Sequence, residues 1–402
     1  MESSPTAPPS LKGGLAWSLA GNVVNGASQW AVLSLIAKLT STEILGQFAL
    51  ALAVATPIAM LAHLNLRSVF TTDVHRTNPF ADYFAVRLWT GIGGLAITLM
   101  AGLLWAPFWP VGITIVLAGL YLGIENFQDL WYAAMQRRER LDLVAKSMIL
   151  RAGLSLSAAT ALLLLFRNAP AAVGGVVIGR ALTFVCFDLV YGKIATNAAH
   201  QPWQVFRAAL PLGLTLLFIS LTASIPRYAV ERHLGTAELG IFAAVSSFVT
   251  VGSVMVNALG QSAITRLARY FLEDRARFRT LVLKLVAIVA ALGMSGALLA
   301  YLAGDFFLTL LYRPGFASYQ HLLVHMMLAG TVLYTASILG FAVTSTRQFR
   351  EQLSLVIAVV VTSGMISLFA VPRIGGDGAV LAIAGAATVQ ICGNLFLLRK
   401  AL

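Results

Sequence analysis

The chain has 402 residues, 58% of them hydrophobic and 11% charged, with a formal net charge of +12. A soluble protein of this length carries about a quarter charged residues. Too few remain here to clothe a water-facing surface, so the class is integral membrane protein. The two cysteines, Cys186 and Cys392, both sit in apolar runs, which excludes a disulfide framework and a zinc knuckle.

The chain opens with MESSPTAPPSLKGG, polar and Pro-rich, without the basic-then-apolar order of a cleaved signal. It reads as a short disordered cytoplasmic tail over residues 1–13. A helix needs about 20 apolar residues to cross hydrocarbon. Breaking the chain at polar and Pro/Gly punctuation predicts twelve spans, near 14–37, 45–66, 83–106, 110–135, 142–166, 172–194, 208–229, 238–265, 281–311, 317–344, 352–372 and 377–398. Pro57 and Pro226 interrupt the second and seventh. Trp17, Trp105, Trp109, Trp131 and Trp203 fall near span ends, where interface belts account for them. The pairs Gly119/Gly123 and Gly175/Gly179 read as close helix packing.

Of the 28 Lys and Arg residues, 21 fall on the side that carries both termini and six on the other, with Arg180 mid-span. That bias places both termini in the cytoplasm. It also accounts for the basic balance without nucleic acid.

A faint repeat relates LTSTEILGQFALA (39–51) to LGTAELGIFAAV (234–245), with Gly46 on Gly240 and Phe48 on Phe242 at an offset of 194. Two halves in parallel topology are a common transporter plan. The predicted division is an N-terminal six-helix lobe over 14–198 and a C-terminal one over 199–402.

Positions three, four and seven apart share a helix face, and three spans carry polar stripes on that spacing. They are Ser18, Asn22, Asn25 and Gln29 in the first, Thr56, His63 and Arg67 in the second, and Ser246, Thr250, Ser253, Asn257 and Gln261 in the eighth. The offset of 194 lays Thr56 on Thr250, His63 on Asn257 and Arg67 on Gln261. Each residue alone reads first as helix–helix glue; three stripes agreeing across a repeat point to a water-filled cavity. His63 fits either a packing role or proton coupling.

Ionisable groups within spans mark pathways or partners. If the charged segment near residue 138 is a tight turn, Glu125 and Arg151 lie at equal depth on antiparallel helices and neutralise each other. Asp129, on the same face as Glu125, is placed to join them. A structural ion pair and a mobile gate both fit. Arg180 and Asp188 are two turns apart, too far to touch, so each needs another partner or faces water. Arg180 is the most exposed candidate for anion binding. The chain has no phosphate-binding loop, no metal-ligand cluster and no nucleophile–base set; no enzyme activity, cofactor or metal is expected.

The pattern E-N-x-Q-D-x-x-Y-x-x-x-Q-x-x-E-R-x-D, from Glu125 to Asp142, is followed by Ser147, Arg151 and Gly153. It resembles the fourth-to-fifth-span region of bacterial polysaccharide-type oligosaccharide flippases, which share a superfamily with the MATE drug exporters. GQFALALAVATPIAMLAHLNLRSVFTTD (46–73) resembles that family's second span and following loop. The resemblance implies an all-α polytopic membrane protein of about twelve helices, in two six-helix lobes around a central cavity lined mainly by the first, second, seventh and eighth spans. It implies a bacterial inner-membrane carrier that moves an oligosaccharide on a polyprenyl diphosphate to the outer leaflet by alternating access. Asn22, Asn25, Gln29, His63, Thr250, Asn257 and Gln261 would then offer hydrogen bonds to sugar, and Arg67, Arg180 and Arg227 cations to the diphosphate. The partners implied are the lipid-linked oligosaccharide, the bilayer, and polysaccharide polymerase and chain-length proteins.

Three alternatives stand beside this reading. A MATE-like exporter driven by Na⁺ or H⁺ needs cavity carboxylates, which the stripes almost lack. A major-facilitator carrier lacks its basic loop signature after the second span. A membrane glycosyltransferase or polymerase needs a large outward loop, and every outward loop here reads as short.

Overall fold

The computed structural model describes residues 11–73, 78–104, 109–192, 199–346 and 348–401. The helices are α1 (Leu11–Leu39), α2 (Thr42–His63), α3 (Leu66–Thr72), α4 (Phe80–Leu104), α5 (Trp109–Arg137), α6 (Leu141–Phe166) and α7 (Ala169–Thr183). A π-helical turn, Phe184–Asp188, continues α7 into α8 (Leu189–Gly192). There follow α9 (Pro202–Leu234), α10 (Thr236–Glu273), α11 (Arg275–Leu311), a 3-10 turn (Pro314–Tyr319), α12 (Gln320–Ser345), α13 (Phe349–Ile374) and α14 (Gly376–Ala401). Among the described residues there is no strand, and 11 helices are long and apolar enough to cross a membrane. α1 has 29 residues and is the twelfth of spanning length; its own stripe of Ser18, Asn22, Asn25 and Gln29 dilutes its apolar character. The all-α polytopic fold is therefore as expected. The predicted tail lies outside the described residues as far as residue 10, and the predicted lobe boundary follows the undescribed stretch 193–198.

Contacts divide the chain into two compact units. One is Met1–Thr40 with Val54–Leu217, the other Ser41–Ala53 with Phe218–Leu402.

In the second unit the repeat has a physical expression. A Cβ on Gly46 would stand 1.7 Å from the Thr236 carbonyl oxygen, and one on Gly240 2.1 Å from that of Thr42. Thr42 and Thr236 are themselves related by the offset, so equivalent positions meet reciprocally, backbone on backbone. Only glycine permits so close a crossing.

Two prolines set a second constraint. Pro57 cannot donate to the Ala53 carbonyl, nor Pro226 to that of Thr222, four residues back in each helix. In hydrocarbon no water compensates. Both carbonyls find a tertiary donor instead: the Tyr228 hydroxyl donates to Ala53 O, and Ser363 Oγ to Thr222 O at 3.4 Å.

In the first unit α2 ends where Leu64 and Asn65 take left-handed φ values of 51° and 49°. Such residues are strained and persist because the surroundings hold them. The break frees the Ala62 carbonyl, which accepts from Arg87 Nη1 and Thr90 Oγ1, both at 2.9 Å. A buried cation at a helix C-terminus also suits the macrodipole. Nearby, the Asp82 carboxylate accepts from the amides of His200 and Gln201 at 2.6 and 3.0 Å, holding the chain as it enters α9.

The glycine expectation is met at three of four positions. A Cβ on Gly175 or Gly179 would lie 2.4 or 2.3 Å from α6 backbone, and on Gly119 2.4 Å from Thr98. Gly123 has ordinary room, its nearest neighbour Leu95 at 3.8 Å. Trp131 is a correction. It is buried at the centre of an edge-on cluster with Phe80, Phe84 and Phe184, at centroid distances of 5.6, 5.8 and 5.3 Å. Packing inside a helix bundle, not an interface belt, explains it.

Tyr228→Phe strands the Ala53 carbonyl and should cost about 1–3 kcal/mol of stability. In the Pro57→Ala background residue 57 regains its amide, and the same substitution should cost much less. Thermal unfolding of the four proteins in detergent measures the difference; equal losses in both backgrounds would contradict the assignment.

Candidate functional site

The polar core of the first unit is built along one face of α5. Glu125, Gln128, Asp129, Tyr132 and Gln136 fall within an arc of about 100° at helical spacing. This is the face carrying the sequence pattern from Glu125 to Asp142.

Glu125 lies between two arginines. Arg151 Nη1 stands 3.5 Å from Glu125 Oε1, and Arg180 Nη1 2.8 Å from Oε2. The side chains of Arg151 and Arg180 are 3% and 4% exposed and that of Glu125 is 30% exposed, so of the three the carboxylate alone reaches a surface. Arg151 extends the network, donating to Asn25 Oδ1 on α1 at 2.7 Å and to Gln128 Oε1 at 3.2 Å. Gln128 Nε2 in turn donates to Asp188 Oδ2 at 2.9 Å. The Arg180 guanidinium lies over the Tyr121 ring at 4.6 Å, and Tyr132 shares a hydrogen bond with Ser147 at 2.8 Å.

The matching depth of Glu125 and Arg151 follows from the turn between them. α5 ends at Arg137 and α6 starts at Leu141, with Glu139 at φ 60°. Arg140 closes the turn through Asp142, Nε to Oδ1 and Nη2 to Oδ2, both 2.9 Å.

A second cluster sits beside the first, where the α2–α3 break faces α5. Asp129 accepts from Arg67 Nη1 at 3.0 Å and is 3.1 Å from His63 Nε2. Arg67 also donates to Gln136 Oε1 from Nε and Nη2, at 3.1 and 2.9 Å. The Asn65 amide donates to His63 Nδ1 at 3.2 Å. That makes Nδ1 the acceptor and leaves a neutral ring's proton on Nε2, aimed at Asp129. Asn126 Nδ2 binds the Ala59 carbonyl at 3.0 Å, tying α5 to α2.

Several expectations change. Asp129 does not join the Glu125–Arg151 pair, because the α2–α3 break delivers His63 and Arg67 to it first. Arg180 is buried, not exposed: Gly175 and Gly179 draw α7 onto α6, and the adjacent Arg180 is carried inward to Glu125. Asp188 is wholly buried and partnered by Gln128, placed there by the π-helical turn. π-turns of this kind gather at functional positions. Asn126, Gln128, Tyr132 and Gln136 were not singled out in the sequence, although their spacing within the pattern from Glu125 to Asp142 was the available signal.

Of the other predicted residues Asn25 joins the first cluster through Arg151, and the rest lie apart from both. Asn22, Gln29, Thr250, Asn257 and Gln261 are exposed, Asn25 half-buried. Asn22 donates to the Ser18 carbonyl and Thr250 to that of Ser246. Arg227, half-buried within α9 in the second unit, has no acidic or hydrogen-bonding partner among the described residues. In that respect it differs from Arg67, Arg151 and Arg180. Among the described residues no group of three or more His, Cys, Asp or Glu is arranged to hold a metal.

No protein-family profile matches the chain. It is 24% identical over 373 residues to the capsular polysaccharide biosynthesis protein CapF of Staphylococcus aureus, covering 90% of this chain and 92% of that one. Among solved structures it is similar to an inward-facing multidrug-resistance MATE transporter of the MOP superfamily, with a TM-score of 0.77, 13% identity, and 96% and 98% of the two chains covered. It is also similar to the lipid II flippase MurJ, with a TM-score of 0.69, 12% identity, and 96% and 87% covered. The fold is that of the MATE-like transporters.

Removing one member of a buried ion cluster leaves its partners uncompensated, which typically costs about 3–5 kcal/mol. Glu125→Gln strands two arginines and should lower the unfolding midpoint sharply. Arg180→Gln leaves Glu125 paired with Arg151 and should cost less. Thermal unfolding in one detergent ranks them, and the reverse order would contradict this arrangement.

Proposed function

We propose that this chain flips polyprenyl-diphosphate-linked oligosaccharide from the cytoplasmic to the outer leaflet of a bacterial inner membrane, with both termini in the cytoplasm. The observation that carries the reading is Arg227. Arg227 stands seven residues before the end of α9 at Leu234, and a half-buried guanidinium without an acidic or hydrogen-bonding partner among the described residues supports an anion from outside the chain. A diphosphate supplies that anion and suits guanidinium geometry. The exposed Asn22, Gln29, Thr250, Asn257 and Gln261 suit sugar hydroxyls, and facing acyl chains they would be costly. The likeness to CapF, a capsular polysaccharide biosynthesis protein, and to a lipid II flippase supports the same substrate class.

The arginine partners of Glu125 and Asp129 weigh against a cation-coupled exporter. Each carboxylate is already neutralised within the protein, leaving little charge to attract Na⁺ or a proton. The diphosphate role passes from Arg67 and Arg180, which hold acids of the first unit, to Arg227.

In proteoliposomes carrying a defined polyprenyl-diphosphate glycan, Arg227→Ala should slow leaflet translocation at least about tenfold, the loss of one charge-assisted contact, with insertion unchanged. Arg227→Lys should retain part of the rate, since it keeps the charge and loses the fork. A wild-type rate in Arg227→Ala removes this residue from the site.

A further inference from the structure

α10 and α11, the latter kinked at Ala303, are both longer than a hydrocarbon crossing requires. The 38 residues of α10 reach about 57 Å at 1.5 Å per residue. Tilted by about 40°, they still project about 44 Å against a hydrocarbon core of about 30 Å. The surplus gathers at one end. α10 carries no charge between Glu238 and Arg266, and α11 none between Lys284 and Asp305. Those uncharged stretches are the ones suited to hydrocarbon, which puts the hairpin from Arg266 to Lys284 in the headgroup layer and beyond it.

This hairpin carries Arg266, Arg269, Arg275, Arg277, Arg279 and Lys284 against only Glu273 and Asp274. Both acids are engaged within the hairpin. Asp274 caps α11, accepting from the amides of Ala276 and Arg277 at 3.0 Å, and pairs with Arg277 at 3.1 Å. Glu273 lies 3.8 Å from Arg269. Arg275 stacks on Phe271 at 3.7 Å. Arg266, Arg279 and Lys284 are exposed and have no acid or hydrogen-bond acceptor among the described residues. The basic turn between α5 and α6 differs: Arg137 donates to Asp73 O, Arg138 to Gly192 O, and Arg140 to Asp142. Orienting the chain in the membrane requires positive charge but does not require it to be left unpartnered.

We propose that the α10–α11 hairpin is a docking surface for anionic phospholipid headgroups, with Arg266, Arg279 and Lys284 meeting their phosphates. Arg266 and Lys284 stand eight and ten residues from Asp274, about 12 and 15 Å along their helices, and form a collar at matching depth. Arg279 lies nearer the turn. Basic clusters beside membrane spans attract anionic lipid in this way. The inference goes beyond the transport reading and does not depend on it.

The test reconstitutes the full chain with spin-labelled phosphatidylglycerol or phosphatidylcholine and reads the motionally restricted lipid fraction. Wild-type protein should prefer phosphatidylglycerol about threefold, and Arg266→Gln/Arg279→Gln/Lys284→Gln should show almost no preference. Arg373→Gln, outside the hairpin, should keep the wild-type value. Should the triple variant fail to insert, wild-type protein alone decides: raising salt to about 0.5 M should abolish a preference set at the exposed surface. Inorganic phosphate should compete no better than chloride at equal ionic strength; stronger competition would assign the site to free phosphate and overturn the proposal. Equal retention of both lipids by wild-type protein, or undiminished preference in the triple variant, would also overturn it and leave the hairpin to a water-soluble acidic partner.

Discussion

The carboxylate of Glu125, held between Arg151 and Arg180, is the interaction on which the first unit depends. Three charges at membrane depth are tolerable only because they sit within a few ångströms of one another, where the low dielectric strengthens attraction as much as it penalises isolation. That single contact ties together α5, α6 and α7. Asn25 on α1 and Asp188 beyond the π-helical turn enter through Arg151 and Gln128, so five segments share one polar network. Everything around it is arranged to bring those groups into reach: the short turn at Arg138–Arg140 sets depth, and the glycines of α7 set lateral approach.

The same constraint appears wherever the helices are interrupted. A membrane interior offers no water to a freed carbonyl, so each break is matched by a donor from elsewhere in the fold. The end of α2 is met by Arg87 and Thr90, and the proline positions in α2 and α9 are met by Tyr228 and Ser363. These polar contacts join groups of the protein itself. They show how bent and broken helices remain compatible with hydrocarbon.

Charge is therefore distributed in two ways. In the first unit cations and anions answer one another and leave little for a ligand to find. Arg227 in α9, and Arg266, Arg279 and Lys284 in the α10–α11 hairpin, stand without an acidic or hydrogen-bonding partner among the described residues. The anions proposed for them are a diphosphate in the first case and phospholipid in the second.

The number of long helices and the apolar segment within each were legible in the sequence because hydrophobicity over about 20 residues is set by the solvent, not by neighbours; helix ends were not, since α10 runs to Glu273 and α11 starts at Arg275 where the apolar runs predict 265 and 281. The Glu125–Arg151 meeting was legible too, since a tight turn fixes equal depth on antiparallel helices. What remained hidden was rotation about each helix axis and distance between helices that are not consecutive. Arg180 looked exposed until Gly179 set how closely α7 meets α6, and Asp129 looked free until the left-handed residues after His63 turned Arg67 toward it. Tyr228 gave no sign that it completes Pro57, 171 residues earlier. Local pattern determines which segments cross the membrane and which face of each is polar; which polar group meets which is decided by packing between distant segments, and only the tertiary structure contains that.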